Sequence, residues 1–302
     1  MRICSLVPSA TEMLFALGLG DEVVGVSHEC DFPPEAARKT RLMRTIVDQE
    51  RLSSAEIDRL VRETLRQHAS LYEIDAGRLA AARPELIVAQ ALCEVCAVDA
   101  NQAAAAARQL IPAPRLLALH PHRLDDILED IRLLGEATGR AAEADALIAA
   151  ARARLARVRS LIPRGAPKPR VCCVEWLEPL MPCGHWVPEQ VAAAGGEEVL
   201  GCAGEPSRVI DPAALVAARP DVLILMPCGF SIERTARELP CLQQAPWWAQ
   251  LPAVRERRVF LVNGPAYFNR SGPRVIEGVE LLARLLHGVD IGPSSPADAR
   301  AL

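Results

Sequence analysis

Lysine is almost missing from this 302-residue chain: only Lys39 and Lys168 occur, and the rest of its 34 basic side chains are arginines, scattered without a cluster. With a net charge of −4 and no basic stripe, nucleic acid is not an expected partner. Long apolar runs are missing too. The run over residues 86–98 is interrupted by Gln90 and Glu94 and is too short to cross a bilayer, so no membrane insertion is expected. A secretory leader needs a basic start, an apolar stretch and a small-residue cleavage site, whereas Met1-Arg2-Ile3 runs straight into a strand-like segment. The expected location on that reading is the cytoplasm. Enzyme signatures are equally scarce. No phosphate-cradling glycine loop, G-x-S-x-G elbow or H-E-x-x-H helix occurs, and Gly18-Leu19-Gly20 closes a helix where a dinucleotide fingerprint would open one. No catalytic residue is assigned, and a non-enzymatic role is expected.

What is present is an alternation of strands and helices, the pattern of a parallel α/β sheet. Strands are expected over residues 3–7, 22–26, 86–89, 115–118, 170–174, 222–225 and 259–262. A helix is expected over 11–17, with Ser9 as its N-cap and Glu12 completing a capping box. From 124 to 161 the chain has neither proline nor strand signal, and Ile127, Ile131, Leu134, Leu147, Ile148, Leu155 and Val158 recur at helical spacing. This reads as one long helix, or two in near continuity, ended by the Pro163–Pro169 stretch.

An internal repeat supports a division at that helix. Ala81-Ala82-Arg83-Pro84-Glu85-Leu86-Ile87-Val88 matches Ala217-Ala218-Arg219-Pro220-Asp221-Val222-Leu223-Ile224. A weaker pair relates Thr11–Gly25 to Pro188–Gly201. The expected architecture is α/β: two related lobes with parallel sheets, residues 1–121 and 163–302, joined by one long rigid helix over 122–162, with a ligand cleft between them.

The order of four segments resembles the helical-backbone class of substrate-binding proteins, and within it the cobalamin-binding branch. These are Ser5-Leu6-Val7-Pro8-Ser9-Ala10-Thr11-Glu12, Arg83–Val88, Glu189–Gly196 and Tyr267-Phe268-Asn269-Arg270-Ser271-Gly272-Pro273-Arg274. The resemblance runs to about residue 287. It implies a cobalamin-like corrinoid or other metal chelate as ligand, and an ABC importer or a corrinoid-using enzyme as the receiving partner. Glu73 and Glu205 lie just upstream of the repeated Arg-Pro segments and are candidate docking acids.

In open α/β sheets ligands meet the loops that leave the carboxyl ends of strands. In a chain with only 4% aromatic residues, those loops collect Trp176, Trp186, Phe230, Tyr267 and Phe268. A flat conjugated ligand would be held by aromatic contacts with a few polar fixings. The expected ligand contacts are Pro8, Ser9, His28, Glu175, Trp176, His185, Trp186, Phe230, Tyr267 and Phe268, with His185 able to supply an axial nitrogen to cobalt or iron. His120 and His122 flank Pro121 and read as helix-entry residues, and Trp247 and Trp248 as lobe packing.

Ten cysteines need an account. In a reducing compartment they are buried fillers, metal ligands or redox groups; Cys4, Cys172 and Cys173 lie in strand-like runs and read as core. Cys93 and Cys96 form a C-x-x-C pair, and Cys228 leaves the equivalent strand of the second half. With Cys30 they form a candidate four-thiolate set for a [4Fe–4S] cluster or a tetrahedral Zn ion. Two alternatives to a ligand-binding protein follow: an iron–sulfur or zinc protein on the same scaffold, and a thiol redox protein using Cys93 and Cys96.

Overall fold

A computed structural model describes residues 1–67, 70–91, 100–292, 295 and 298–302. The chain divides into two compact units. The first comprises Met1–Asp48, Arg59–Pro121 and Asp125–Ala149; the second comprises Gln49–Asp58, His122–Leu124 and Ala150–Leu302.

In the first unit the strands are β1 (Ile3–Ser5), β2 (Val23–Val26), β3 (Thr40–Arg41), β4 (Met43–Thr45), β5 (Tyr72–Ile74), β6 (Leu86–Gln90) and β7 (Arg115–Leu119). Five of them form a parallel sheet in the order β3-β2-β1-β6-β7, and β4 pairs antiparallel with β5. Strands β1 and β6 are buried along their whole length. A parallel strand covered on both faces needs a continuous apolar run, which Leu86-Ile87-Val88-Ala89 supplies. Cys4, Leu6, Leu79 and Ile87 lie in the core beside this sheet.

The second unit holds β8 (Arg170–Trp176), β9 (Met181–Pro182), β10 (Glu197–Glu198), β11 (Val222–Leu225), β12 (Val259–Val262) and β13 (Ala299–Ala301). Its sheet runs β10-β8-β11-β12-β13, parallel except for β13, and β9 pairs antiparallel with β8. The order β2-β1-β6-β7 is thus repeated as β10-β8-β11-β12. The repeat extends to backbone detail. Asp75 and Asp211 each cap a helix by accepting from a backbone N–H, and those helices end at Arg83 and Arg219 in the left-handed region (φ +43° and +46°). The proline that follows each arginine bars continuation of the helix.

All seven expected strands are present, within two residues at each end. The strands that went unpredicted have two or three residues each, too short to show a period. The first helix starts earlier than expected, at Pro8 and not Thr11. Proline at the first turn is pre-set in φ and loses no hydrogen bond there. Ser9 therefore lies inside the helix and does not cap it; Val7 holds that position without a side-chain bond.

The stretch expected as one long helix, or two in near continuity, is two, Leu124–Thr138 and Ala141–Leu161. Gly139 adopts φ +73°, and the Arg140 N–H donates to the Gly135 carbonyl while the Gly139 N–H donates to that of Glu136. This is a Schellman stop, which requires a residue tolerant of the left-handed region. Gly135 also lets the second helix approach: a Cβ there would collide with the Ala144 methyl group and lie 2.9 Å from the Arg140 carbonyl oxygen.

Candidate functional site

Within each sheet the order of strands reverses beside a central strand, between β1 and β6 in the first unit and between β8 and β11 in the second. The loops leaving these strands at their carboxyl ends are where ligands bind in such sheets.

In the first unit Ser9 is buried, and its hydroxyl has no hydrogen-bond partner among the described residues. Pro8 is buried beside it. The loop after β2 is pinned by Arg41, whose guanidinium donates to the carbonyls of Ser27 and Cys30, both at 2.7 Å. It presents His28 half-buried, 5.6 Å between ring centres from Tyr72. Burial, with the nearby Arg41 charge, pushes His28 down to about 4, so its ring is neutral at pH 7. Cys30 is buried among hydroxyls, its Sγ 3.1 Å from Thr11 Oγ1 and 3.2 Å from Ser27 Oγ. Cys93 and Cys96, central to the metal and redox readings, lie outside the described residues. Among the described residues no group of three or more His, Cys, Asp and Glu is arranged to hold a metal ion.

In the second unit β8 ends at Glu175 and Trp176, both half-buried. Ser207 Oγ donates to Glu175 Oε2 at 2.9 Å, and the Cys228 N–H donates to the Glu175 carbonyl at 3.0 Å. The Trp176 indole donates to the carbonyls of Ser54 and Glu178 and leans on Phe230 at 5.4 Å. Phe230 itself is fully buried, with the Arg234 guanidinium stacked 4.2 Å above its ring. Trp186 and Phe268 are also interior, tied by the indole N–H donating to the Phe268 carbonyl at 2.8 Å. The expected aromatic lining is thus divided. Trp186, Phe230 and Phe268 serve the packing of the unit, because side chains that large lower the free energy most when fully removed from water. Trp176 and Tyr267 keep a face to solvent. The Tyr267 hydroxyl donates to Asp298 at 2.6 Å, and burial with that carboxylate raises it above the usual phenol range.

His185 takes a left-handed backbone (φ +50°), and its ring lies 5.7 Å from that of His122, centre to centre. His122 was assigned only a helix-entry role from sequence. Nothing local to Pro121-His122-Arg123 signals otherwise, since the meeting joins residues 63 apart. Arg234 was missed as well. It is almost fully buried, pairs with Glu238 at 2.8 Å, and donates to the carbonyls of Gln49 and Leu52. The one available signal was the Arg234–Glu238 spacing of four.

Two parallel α/β units of the same strand order, with polar and aromatic groups half-exposed at their strand ends, define a solute-binding protein of the helical-backbone class. The chain belongs to the periplasmic binding protein family, whose model matches residues 3–266. It is 24% identical over 294 residues to a vitamin B12-binding protein of Vibrio cholerae, covering 94% of this chain and 88% of that one. An uncharacterized ABC transporter substrate-binding lipoprotein of Bacillus subtilis is 22% identical over 294 residues, covering 95% and 80%. A periplasmic heme-binding protein from Pseudomonas aeruginosa shares the fold with a TM-score of 0.72 at 20% identity, over 99% of this chain and 97% of that chain.

These findings overturn the cytoplasmic expectation. The Bacillus subtilis relative is a lipoprotein and the heme-binding neighbour is periplasmic, both placed outside the cytoplasm. That expectation rested on how the chain begins, which does not bear on where it folds. The reducing-compartment argument about the cysteines falls with it. Burial still separates them: Cys4, Cys172, Cys173 and Cys183 are wholly enclosed, and burial raises each thiol above its ordinary value. Among the described residues no helix is long and apolar enough to cross a membrane.

Proposed function

We propose that this protein binds a corrinoid, or a flat metal chelate of similar size such as heme, outside the cytoplasm and hands it to an ABC importer without catalysing a reaction. The observation that carries the reading is that Trp176, at the carboxyl end of β8, and Tyr267, closing the short helix after β12, are both half-exposed, with Glu175 and His185 half-buried on the same carboxyl-end segments of the unit. Aromatic faces suit a conjugated ring, and the carboxylate and imidazole suit its polar periphery or its metal. The relatives named for vitamin B12 and heme favour this ligand class over peptides or sugars. Glu73 and Glu205 are exposed and are proposed as the acids that meet the importer.

The test is a titration with cyanocobalamin and, separately, with hemin, followed by absorbance and tryptophan fluorescence. One of the two should saturate at one ligand per chain. Trp176→Ala should weaken that binding by about tenfold or more, as loss of an aromatic anchor costs ~1.5–2 kcal/mol or more. A protein that binds neither chelate would refute the reading.

A further inference from the structure

We propose that His122 and His185 form a two-imidazole site for a transition-metal centre of the Zn²⁺, Ni²⁺ or Cu²⁺ class, its remaining positions open to water or to donors on a chelate. The inference stands independently of the corrinoid reading, because it rests on residues of the second unit alone and needs no particular cargo.

The first support is the ring geometry. The two rings lie 5.7 Å apart, tilted by 57°. Imidazoles sharing one ion at metal–nitrogen distances of about 2.0–2.1 Å hold their ring centres roughly 5–6 Å apart. The observed separation falls in that range.

The second support is the way His185 is held. A non-glycine residue at φ +50° is strained by ~1–2 kcal/mol, and His185 is held there by its neighbours. Its N–H donates to the Glu205 carbonyl at 2.7 Å, and its carbonyl accepts from the Gly204 N–H at 2.9 Å. The ring is stacked on Trp186, 5.8 Å between centres at 27°. Gly184 is required just before it, because a Cβ there would strike the Glu205 carbonyl. These backbone bonds fix the main chain of His185, and the stack on Trp186 orients its ring.

The third support is an unmet bond. His185 Nδ1 is buried without a partner among the described residues, a state that costs free energy unless something pairs with it. Ligation at a ring nitrogen would supply an interaction the protein does not.

His122 is anchored from the other side. The adjacent Arg123 donates to Glu189 Oε1 at 2.6 Å, and the Leu124 N–H donates to Glu189 Oε2 at 2.8 Å. The His122 side chain is exposed. Among the described residues no third His, Cys, Asp or Glu completes the set. Borderline imidazole ligands suit divalent ions late in the first transition row.

The experiment is calorimetric titration of the untagged full chain with NiCl₂, and electron paramagnetic resonance of the Cu²⁺-loaded protein. Wild type should take up one Ni²⁺ per chain and show nitrogen hyperfine structure from two imidazoles. His122→Ala and His185→Asn should each lower Ni²⁺ affinity at least tenfold; Asn is chosen because it tolerates the left-handed backbone, and circular dichroism checks the fold. No uptake by wild type, or uptake unchanged in both variants, overturns the proposal, the latter placing the ion on other residues such as the thiols. A hemin titration separates the sources of the metal. A low-spin spectrum lost in either variant assigns the pair to the metal of a chelate, while Ni²⁺ uptake with hemin spectra unchanged by the variants assigns it to a free ion. If wild type takes up Ni²⁺ but binds neither cyanocobalamin nor hemin, the cargo reading fails and the metal site stands.

Discussion

His28 is held down to about 4 by burial and by Arg41, whereas a free imidazole titrates near 6.5. Below that free value the unfolded chain takes up a proton that the folded chain refuses, so stability falls with pH. The contribution of His28 is complete above about 6.5 and is lost as pH falls toward 4. Its size is on the order of 2 kcal/mol once the partial exposure of the ring is allowed for. Urea midpoints of wild type should therefore drop between pH 6.5 and 4.5 more steeply than those of His28→Gln. Parallel slopes would mean that the ring is solvated and free to protonate in the folded state. At this scale the sequence was a fair guide to position: His28 and His185 lie on loops, Glu175 and Trp176 end β8, and Tyr267 closes a short helix after β12. It was a poor guide to exposure. Nothing in a loop tryptophan distinguishes Trp176, half-open, from Trp186, enclosed.

The segment Gln49–Asp58 shows how an element acquires its place. It comes between β4 and the bulk of a helix (Ser54–Arg66), yet packs with the second unit. Its backbone carbonyls at Gln49 and Leu52 accept from the buried Arg234, and the N–H and hydroxyl of Ser54 donate to Glu238. Gly229 makes room, since a Cβ there would collide with the Gln49 amide. Removing one member of a buried ion pair strands the other without compensation, at about 3–5 kcal/mol. Arg234→Leu should lower the unfolding free energy by ~3 kcal/mol in urea and open the segment to proteolysis. A joint Arg234→Leu, Glu238→Leu change should recover part of the loss. If the double variant is no more stable than the single, the carbonyl contacts and not the ion pair hold the segment. None of this was legible beforehand, because residues 49–58 carry no apolar period and their partners lie some 180 positions away. The helix break at Gly139 was nearer to hand: a glycine stood there, and only the left-handed turn it adopts decided between one helix and two.

For the whole molecule, the charge balance matters more to partners than to the fold. Glu73 pairs with Arg44 and Glu205 with Arg208, all four side chains well exposed. Such surface pairs contribute about 0–1 kcal/mol, so replacing either acid leaves the fold intact. Steering toward a partner depends instead on the sign of the charge presented. Glu73→Lys combined with Glu205→Lys should leave chelate binding and melting temperature unchanged while reducing stimulation of importer ATPase activity severalfold. Full stimulation by the double variant would remove these two acids from the docking surface. Location belongs to this scale too. The relatives corrected it, because compartment is a property of export and not of how a folded domain packs.

The amino-acid order by itself determined the two-fold α/β architecture. Apolar runs, Asp caps and the Arg-Pro stops at 83–84 and 219–220 act over a few residues, and each was repeated in both halves with the same spacing. Tertiary structure alone decided which aromatic rings became core and which stayed open. It also decided that Cys30 sits among hydroxyls, that Arg234 is buried, and that His122 meets His185. The physical reason is range. Caps, turns and strand periods are short-range effects written in neighbouring residues, whereas burial and the pairing of polar groups depend on which distant segments the folded chain brings within a few ångströms.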